Sequence, residues 1–235
     1  KTLIVDAAGL NQIIEVDLAT HKRVRAFDVQ TLPYEVRLSP DEKTLIVTNW
    51  GGRKPLATDR TGLSAGEPIV IDERGAPASG TVSFINRDSA AVTHVDVGIH
   101  PSAPIIDGPH AFVTNAMSDS ISQLDIASAK VTRTIPIRWG KMRVLGAMPN
   151  ALAIQGDTLY VADGGDNALA EIDLKTGDVK GFRHAGYFPC AVSISHDGTF
   201  AFVLNSKGNG SVENTIKGNP GSPHDFQGSI SIVDL

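Results

Sequence analysis

Four polar residues recur at one place in a repeating pattern. Asn49, Asn115, Asp163 and Asn205 close the short apolar runs Ile46-Val47-Thr48-Asn49, Phe112-Val113-Thr114-Asn115, Tyr160-Val161-Ala162-Asp163 and Phe202-Val203-Leu204-Asn205. Ala7 holds that place after Leu3-Ile4-Val5-Asp6. Amides and a carboxylate converging at one mouth could hold a polar ligand or a cation. Asn and Asp at strand ends also hydrogen-bond the next turn, a structural role open to all four. A second group, Arg138, Trp139, Lys141 and Arg143, mixes cations with an indole. Arg and Trp are over-represented where binding energy concentrates, and the three cations suit an anionic ligand. Trp50 stands at the root of a long insertion, where it serves packing or binding.

Other chemistry is poorly supported. Gly62-Leu63-Ser64-Ala65-Gly66 has the spacing of a nucleophile elbow, but that device needs a strand-to-helix turn, and no amphipathic helix is legible here. The seven histidines show no ligand spacing such as His-x-x-x-His, and a single cysteine, Cys190, excludes a disulfide framework and a cysteine-based zinc site. Cys190 follows Pro189 at a position held elsewhere by Tyr34, Ser102 and Asn150, and reads as a packing thiol. Asp163-Gly164-Gly165-Asp166-Asn167 lacks the remaining ligands of a calcium loop and reads as a hairpin turn. No cofactor and no metal is therefore expected.

The elements that carry these residues are repeats. Aligned on valine, the apolar runs sit at 5, 47, 113, 161 and 203, with gaps of 42, 66, 48 and 42 residues. A second run follows each, ending in Asp or Asn: Glu15-Val16-Asp17, Phe84-Ile85-Asn86, Gln123-Leu124-Asp125, Glu171-Ile172-Asp173 and Ile232-Val233-Asp234. A third marker is the proline upstream of each later valine, Pro33, Pro101, Pro149 and Pro189. Alternation such as Ala191-Val192-Ser193-Ile194-Ser195 predicts half-buried strands, and Ser39-Pro40-Asp41 and Ser195-His196-Asp197-Gly198 predict the turns between them. Four short strands in about 42 residues is the signature of a β-propeller blade. The expected fold is thus an all-β propeller of four-stranded antiparallel blades. Residues 1–235 read as one segment of about five blades, the first and last partial, cut from a ring of about seven.

Insertions occupy 51–79, 138–148 and 206–227. The first and third follow the second strand of a repeat, and the other lies between a fourth strand and the next first strand. In an antiparallel blade those connections share one face, which marks it as the expected binding face. A net charge of −5 without a Lys/Arg block gives no general nucleic-acid footprint, and no apolar run approaches a membrane span. The chain begins at Lys1 without a signal peptide and reads as a mature or excised piece.

The runs Ile46-Val47-Thr48-Asn49 and Phe112-Val113-Thr114-Asn115, with Ile172-Asp173-Leu174 and the Ser39-Pro40-Asp41 turn, resemble the YVTN-repeat (YncE-like) propeller family. Pro149-Asn150-Ala151-Leu152-Ala153, Tyr160 to Asn167, Gly186-Tyr187-Phe188-Pro189 and Asn205-Ser206-Lys207-Gly208 look like a bacterial subgroup of it. In that subgroup the propeller is joined to a C-terminal phosphoesterase domain of the alkaline-phosphatase type. The resemblance implies an exported protein, periplasmic or extracellular, with such a domain in cis. No residue here matches that domain's catalytic motifs, so none of its ligands or its nucleophile carries over.

Three functions compete. One is a non-catalytic module that binds a ligand or protein partner through its insertion-bearing face. A second is a lactonase-type hydrolase with a site at the channel, for which one Asp among amides is poor acid/base material. A third, a quinoprotein-dehydrogenase-like subunit, finds no haem motif or cysteine cluster in its support.

Overall fold

The structure is a computed structural model that describes residues 1–138, 146–208, 210 and 227–235. Among the described residues the chain is all-β; the helical content is one 3-10 turn, Ala8–Leu10. It divides into two units, residues 1–134 and 135–235.

The first unit opens with a three-stranded sheet of β1 (Thr2–Ala7), β2 (Gln12–Asp17) and β3 (Arg23–Asp28). The chain then runs through β4 (Pro33–Leu38) and β5 (Thr44–Asn49) into a separate two-stranded hairpin, β6 (Thr61–Ser64) and β7 (Glu67–Val70). It returns as β8 (Thr81–Asn86) and β9 (Val92–Asp96), so the second sheet is ordered β4-β5-β8-β9. The third sheet is β10 (Pro101–Asp107), β11 (His110–Asn115), β12 (Ser120–Asp125) and β13 (Lys130–Pro136). The second unit holds β14 (Pro149–Gln155), β15 (Thr158–Asp163), β16 (Ala168–Asp173) and β17 (Val179–His184) in one sheet. Its other sheet is β18 (Pro189–Ile194), β19 (Phe200–Asn205) and β20 (Ser229–Asp234). The insertion at 51–79 therefore contains a hairpin of its own, around Gly62–Gly66.

Packing follows the two-residue period of the strands. On β5, Leu45 and Val47 join Ile13, Phe27, Val29 and Ile85 between the first two sheets. Ile46 instead joins Val82, Phe84, Ala111, Val113 and Leu124 between the second and third. A strand buried on both faces needs apolar residues at successive positions, which is why the valine-centred run is continuous rather than alternating. In the second unit Tyr160 and Leu169 pack against Ala201 and Val203 in the same manner. The opposite face of β19 and β20 is exposed and apolar, with Phe202 paired to Ile232 and Leu204 to Ile230.

The marker prolines each begin a first strand, and the residue before each is left-handed. Leu32, His100, Met148 and Phe188 have φ of 54°, 54°, 50° and 57°. A bulky residue is unfavourable there, by about 1–2 kcal/mol. A clamp of two backbone bonds holds it. The N–H of Trp50 donates to Leu32 O (2.8 Å) and that of Gly51 to Thr31 O (3.0 Å). The same pair recurs as Ala116 to His100 and Met117 to Ile99, Gly164 to Met148 and Gly165 to Ala147, and Ser206 to Phe188 and Lys207 to Tyr187. Immediately after the prolines of β4, β14 and β18 the ladder register shifts, leaving Tyr34, Asn150 and Cys190 as bulge residues; β10 slips between Pro101 and Pro104. A bulge bends the strand and re-aims a side chain.

Sheets within a unit are also stapled by polar groups. The Leu32 N–H donates to Asn11 Oδ1 of the β1–β2 turn (2.7 Å), and the Phe188 N–H to Asn167 Oδ1 (2.9 Å). Glu15 on β2 is 1% exposed and accepts from Arg25 of β3 at 2.7 Å and from Arg87 of the second sheet at 2.9 Å. Burial pushes its carboxyl up, but hydrogen bonds and charge from Arg87 and Arg25 outweigh that and hold it below the ordinary carboxylate range. The folded state therefore binds this proton less readily than the unfolded chain. The stabilisation is present above the unfolded value near 4.5 and is lost as pH falls through the lower folded value. Glu15→Gln is expected to lower stability by about 2–3 kcal/mol at pH 7, because two arginines lose a charged acceptor. Urea unfolding of both proteins at pH 7 and pH 3 measures it, and the gap should narrow at pH 3.

Candidate binding site

The four residues that close the second strands are interior. Asn49, Asn115, Asp163 and Asn205 are each 0% exposed. Asn49 Nδ2 donates to Thr81 Oγ1 (3.1 Å) and Ser83 Oγ (2.9 Å) of the adjacent third strand. Asn115 Nδ2 does the same to Ser120 and Ser122, and Asn205 Nδ2 to Ser229 and Ser231. The ladder sets these partners. Asn49 pairs with Thr81, Asn115 with Ser120 and Asn205 with Ser229, so the hydroxyls at that position and two residues on lie on the amide's side. Where the third strand offers Ala168 and Ala170 instead, the closing residue is Asp163. Each amide serves its own sheet and turns no donor toward solvent. A β-carbon on Gly98 would come within 2.5 Å of Asn115 Cβ, so the connection into β10 needs glycine to pass over the amide.

Arg138 is exposed; Trp139, Lys141 and Arg143 lie outside the described residues. Cys190 donates weakly to Leu204 O at 3.5 Å, and burial raises its thiol pKa, which suits a packing role.

Trp50 has a different setting from the other candidate residues. It is the first residue after β5, half-buried, and its ring stacks on Tyr34 (centroids 5.2 Å, 28° between planes) and on His100 (4.1 Å, 20°). Tyr34 is the bulge residue of β4, and His100 is the left-handed residue before β10. The backbone clamp thus places all three rings. At Trp50's position the other repeats carry Ala116, Gly164 and Ser206, and at Tyr34's they carry Ser102, Asn150 and Cys190. The fold accepts Ala, Gly or Ser at the first of these positions and Ser, Asn or Cys at the second, so the Trp50 and Tyr34 rings exceed what the architecture requires; His100, from the following sheet, stands where the other repeats carry the equally bulky Leu32, Met148 and Phe188. Burial pushes the His100 imidazole below its ordinary range and favours the neutral ring, and its Nε2 is buried with no hydrogen-bond partner among the described residues.

Beside this ladder is a cavity of about 220 Å³ lined by Ala8, Leu32, Pro33, Tyr34, Trp50, Ser64 and Ala65. Ala8 comes from the β1–β2 turn, and Ser64 and Ala65 from the tip of the β6–β7 hairpin. Ala65 and Gly66 both have positive φ (48° and 86°), the two-residue turn that suits the twist of a hairpin. Glu67 Oε2 accepts from Asn11 Nδ2 at 3.0 Å, tying the hairpin to the β1–β2 turn. Leu10 and Leu63, on the two turns that bear the cavity walls, are 62% and 79% exposed. Sequence reasoning reached Trp50 but not its neighbours. Setting the four repeats side by side at the bulge position and the post-strand position would have exposed the excess of aromatics.

Two carboxyls also fall in this unit. Burial raises the pKa of Asp6 on β1 and of Glu35 on β4, and the Asp6 charge raises Glu35 further. Arg37 opposes that shift, with Nη2 at 2.6 Å from Glu35 Oε1.

The fold has solved counterparts. The hydrazine synthase of Kuenenia stuttgartiensis superposes with a TM-score of 0.69 at 19% identity, over 99% of this chain and 59% of that one. A functionally unknown protein from Desulfotomaculum acetoxidans superposes with a TM-score of 0.60 at 10% identity, over 87% of this chain and 59% of that one. This chain spans about three-fifths of either counterpart. At such identities the likeness concerns the fold, and with the repeated four-stranded sheets it defines a propeller-like all-β protein. No protein-family profile matches the sequence, and no curated protein matches it.

If the closing asparagines serve the sheets, Asn115→Ala should cost about 1–3 kcal/mol in urea unfolding. Ser122→Ala should then add little in the Asn115→Ala background, because the bond it would remove is already gone. A full additional loss in the double variant would show that the amide and hydroxyl act independently.

Proposed function

We propose that this chain is a non-catalytic propeller module that binds a ligand or protein partner at the end of its blades where the insertions emerge. The aromatic ladder of Tyr34, Trp50 and His100, with the apolar cavity that the inserted hairpin walls on one side, is the observation that carries this reading. Cavities with few polar groups and aromatic walls are the usual form of a ligand site. Trp50 placed where other repeats have Ala, Gly or Ser, and Tyr34 where they have Ser, Asn or Cys, support a role in recognition rather than in packing.

The finer identity follows the sequence resemblance. We assign the module to the YVTN-repeat (YncE-like) propellers, in an exported bacterial protein whose phosphoesterase domain lies outside this chain. In that reading the sheets are blades of a larger ring of about seven. The exposed apolar row of Phe202, Leu204, Ile230 and Ile232 supports coverage of that sheet by a further blade.

A lactonase-type hydrolase would draw on Asp6 and Glu35, whose raised pKa values suit proton transfer. The ion pair between Glu35 and Arg37 weighs against it.

Thermal-shift screening of the purified chain against small molecules and peptides tests the reading. A ligand that raises Tm should lose most of that shift in Tyr34→Ala and Trp50→Ala, and the chain should turn over neither p-nitrophenyl phosphate nor simple lactones. Lactone turnover abolished by Glu35→Gln would overturn it.

A further inference from the structure

The binding reading leaves the ligand class open, and the shape and chemistry of the cavity narrow it. Resting on that reading, we infer that the cavity takes one uncharged aromatic ring bearing a single polar substituent, which stacks on Tyr34 as the next rung of the ladder.

Volume bounds the size of the ligand. About 220 Å³ lies below the range of about 300–1,000 Å³ typical of drug-sized ligands. It exceeds the roughly 150 Å³ of an engineered apolar cavity that accepts benzene. One six-membered ring with a substituent fits between those limits.

The wall also bounds its charge. Ala8, Leu32, Pro33 and Ala65 offer no ionised group, and the polar side chains on the wall are the hydroxyls of Tyr34 and Ser64 and the indole of Trp50. A carboxylate or ammonium carried in would lose its water without gaining a counter-charge, which costs several kcal/mol. A hydroxyl or an amide edge can exchange its water for Ser64 or Tyr34.

Stacking selects an aromatic ring over a saturated one. His100, Trp50 and Tyr34 already form two stacked contacts at near-parallel angles, and Tyr34, the outermost ring, remains 57% exposed while lining the cavity. Offset stacking of a further ring there gains about 0.5–1.5 kcal/mol beyond area burial. A saturated ring of equal size gains the burial without that contribution. Burial disfavours a positive charge on His100, so the ladder offers little to favour an anionic ring.

The hairpin supplies one wall. Its tip places Ser64 and Ala65 on the cavity wall, and the Asn11–Glu67 hydrogen bond fixes the hairpin against the neighbouring turn. Enlarging Ala65 therefore fills the cavity from its wall, at a residue that is itself exposed and outside the core.

The experiment uses the whole chain labelled with 5-fluorotryptophan and read by fluorine NMR, with p-cresol, cyclohexanol and benzoate as probes. The resonance that disappears in Trp50→Phe should shift with p-cresol, with a Kd near the millimolar range expected of so small a ligand. Cyclohexanol and benzoate should bind at least about fivefold more weakly. Ala65→Trp should abolish the shift, and Tyr34→Leu should weaken p-cresol about fivefold while leaving cyclohexanol unchanged. Circular dichroism melts of both variants confirm folding, and an unfolded Ala65→Trp is replaced by the smaller Ala65→Leu. Equal affinity for p-cresol and cyclohexanol, preference for benzoate, or an unperturbed Trp50 resonance overturns the aromatic class. Such a failure is separate from failure of the binding end itself, which would show as a thermal screen in which no ligand depends on Trp50.

Discussion

A left-handed residue ahead of a proline is the constraint on which each repeat is built. Proline fixes its own φ and disfavours α geometry in the residue before it, so Leu32, His100, Met148 and Phe188 occupy a conformation that local sterics oppose. The two backbone bonds from the residues just after the second strand hold them there. In return the chain enters the first strand abruptly, the ladder slips by a residue, and the bulge side chain is re-aimed. Without the clamp the first and second strands would lose the connection that fixes their register. With it, the same three positions become fixed points at the end of each sheet that begins with a marker proline: the left-handed residue, the bulge residue and the residue after the second strand.

Those fixed points explain why the interior can carry so many polar groups. Asn49, Asn115 and Asn205 sit at the last pair of the ladder, where Thr or Ser on the third strand is held in register to accept from them. A buried amide with two committed acceptors specifies one register, since a slip of one residue would turn the hydroxyls to the other face. Glu15 acts between sheets rather than within one. It joins Arg25 of its own sheet to Arg87 of the next, so apolar packing sets the spacing of the two sheets while the ion pairs set their alignment.

The repeat itself was legible because its signals are local. The valine-centred runs, the terminal Asp or Asn of the third strand and the marker prolines each arise from a strand's own needs, and each recurs within a few residues of its expected place. The Ser39 and Ser195 turns are equally local: each serine donates to an aspartate two residues on, Asp41 or Asp197. The β6–β7 hairpin was not legible. Thr61-Gly62-Leu63-Ser64 lacks a strong alternating pattern, and the hairpin is held largely from outside, by Asn11 and by the cavity wall. The ladder was hidden for a different reason. Tyr34, Trp50 and His100 are 16 and 50 residues apart in sequence and meet only because a bulge, a strand end and a left-handed residue of the following sheet fall at one height. The closing asparagines were conspicuous in sequence because they recur, and recurrence is what a shared structural duty produces.

Recurrence, and its absence, separates structural residues from recognition residues in a repeat. A residue type demanded by the architecture recurs from copy to copy, as the prolines do in the four repeats after the first and the asparagines do in three of them. A residue type placed for recognition has no reason to recur, because a ligand meets one blade junction and not the others. Trp50 stands where the fold elsewhere accepts Ala116, Gly164 or Ser206, so its bulk is not needed to close the strand. Its two ring neighbours come from positions that the clamp makes rigid. Strain absorbed by the repeat at every marker proline thus becomes positional accuracy at the junction where Tyr34, Trp50 and His100 stack.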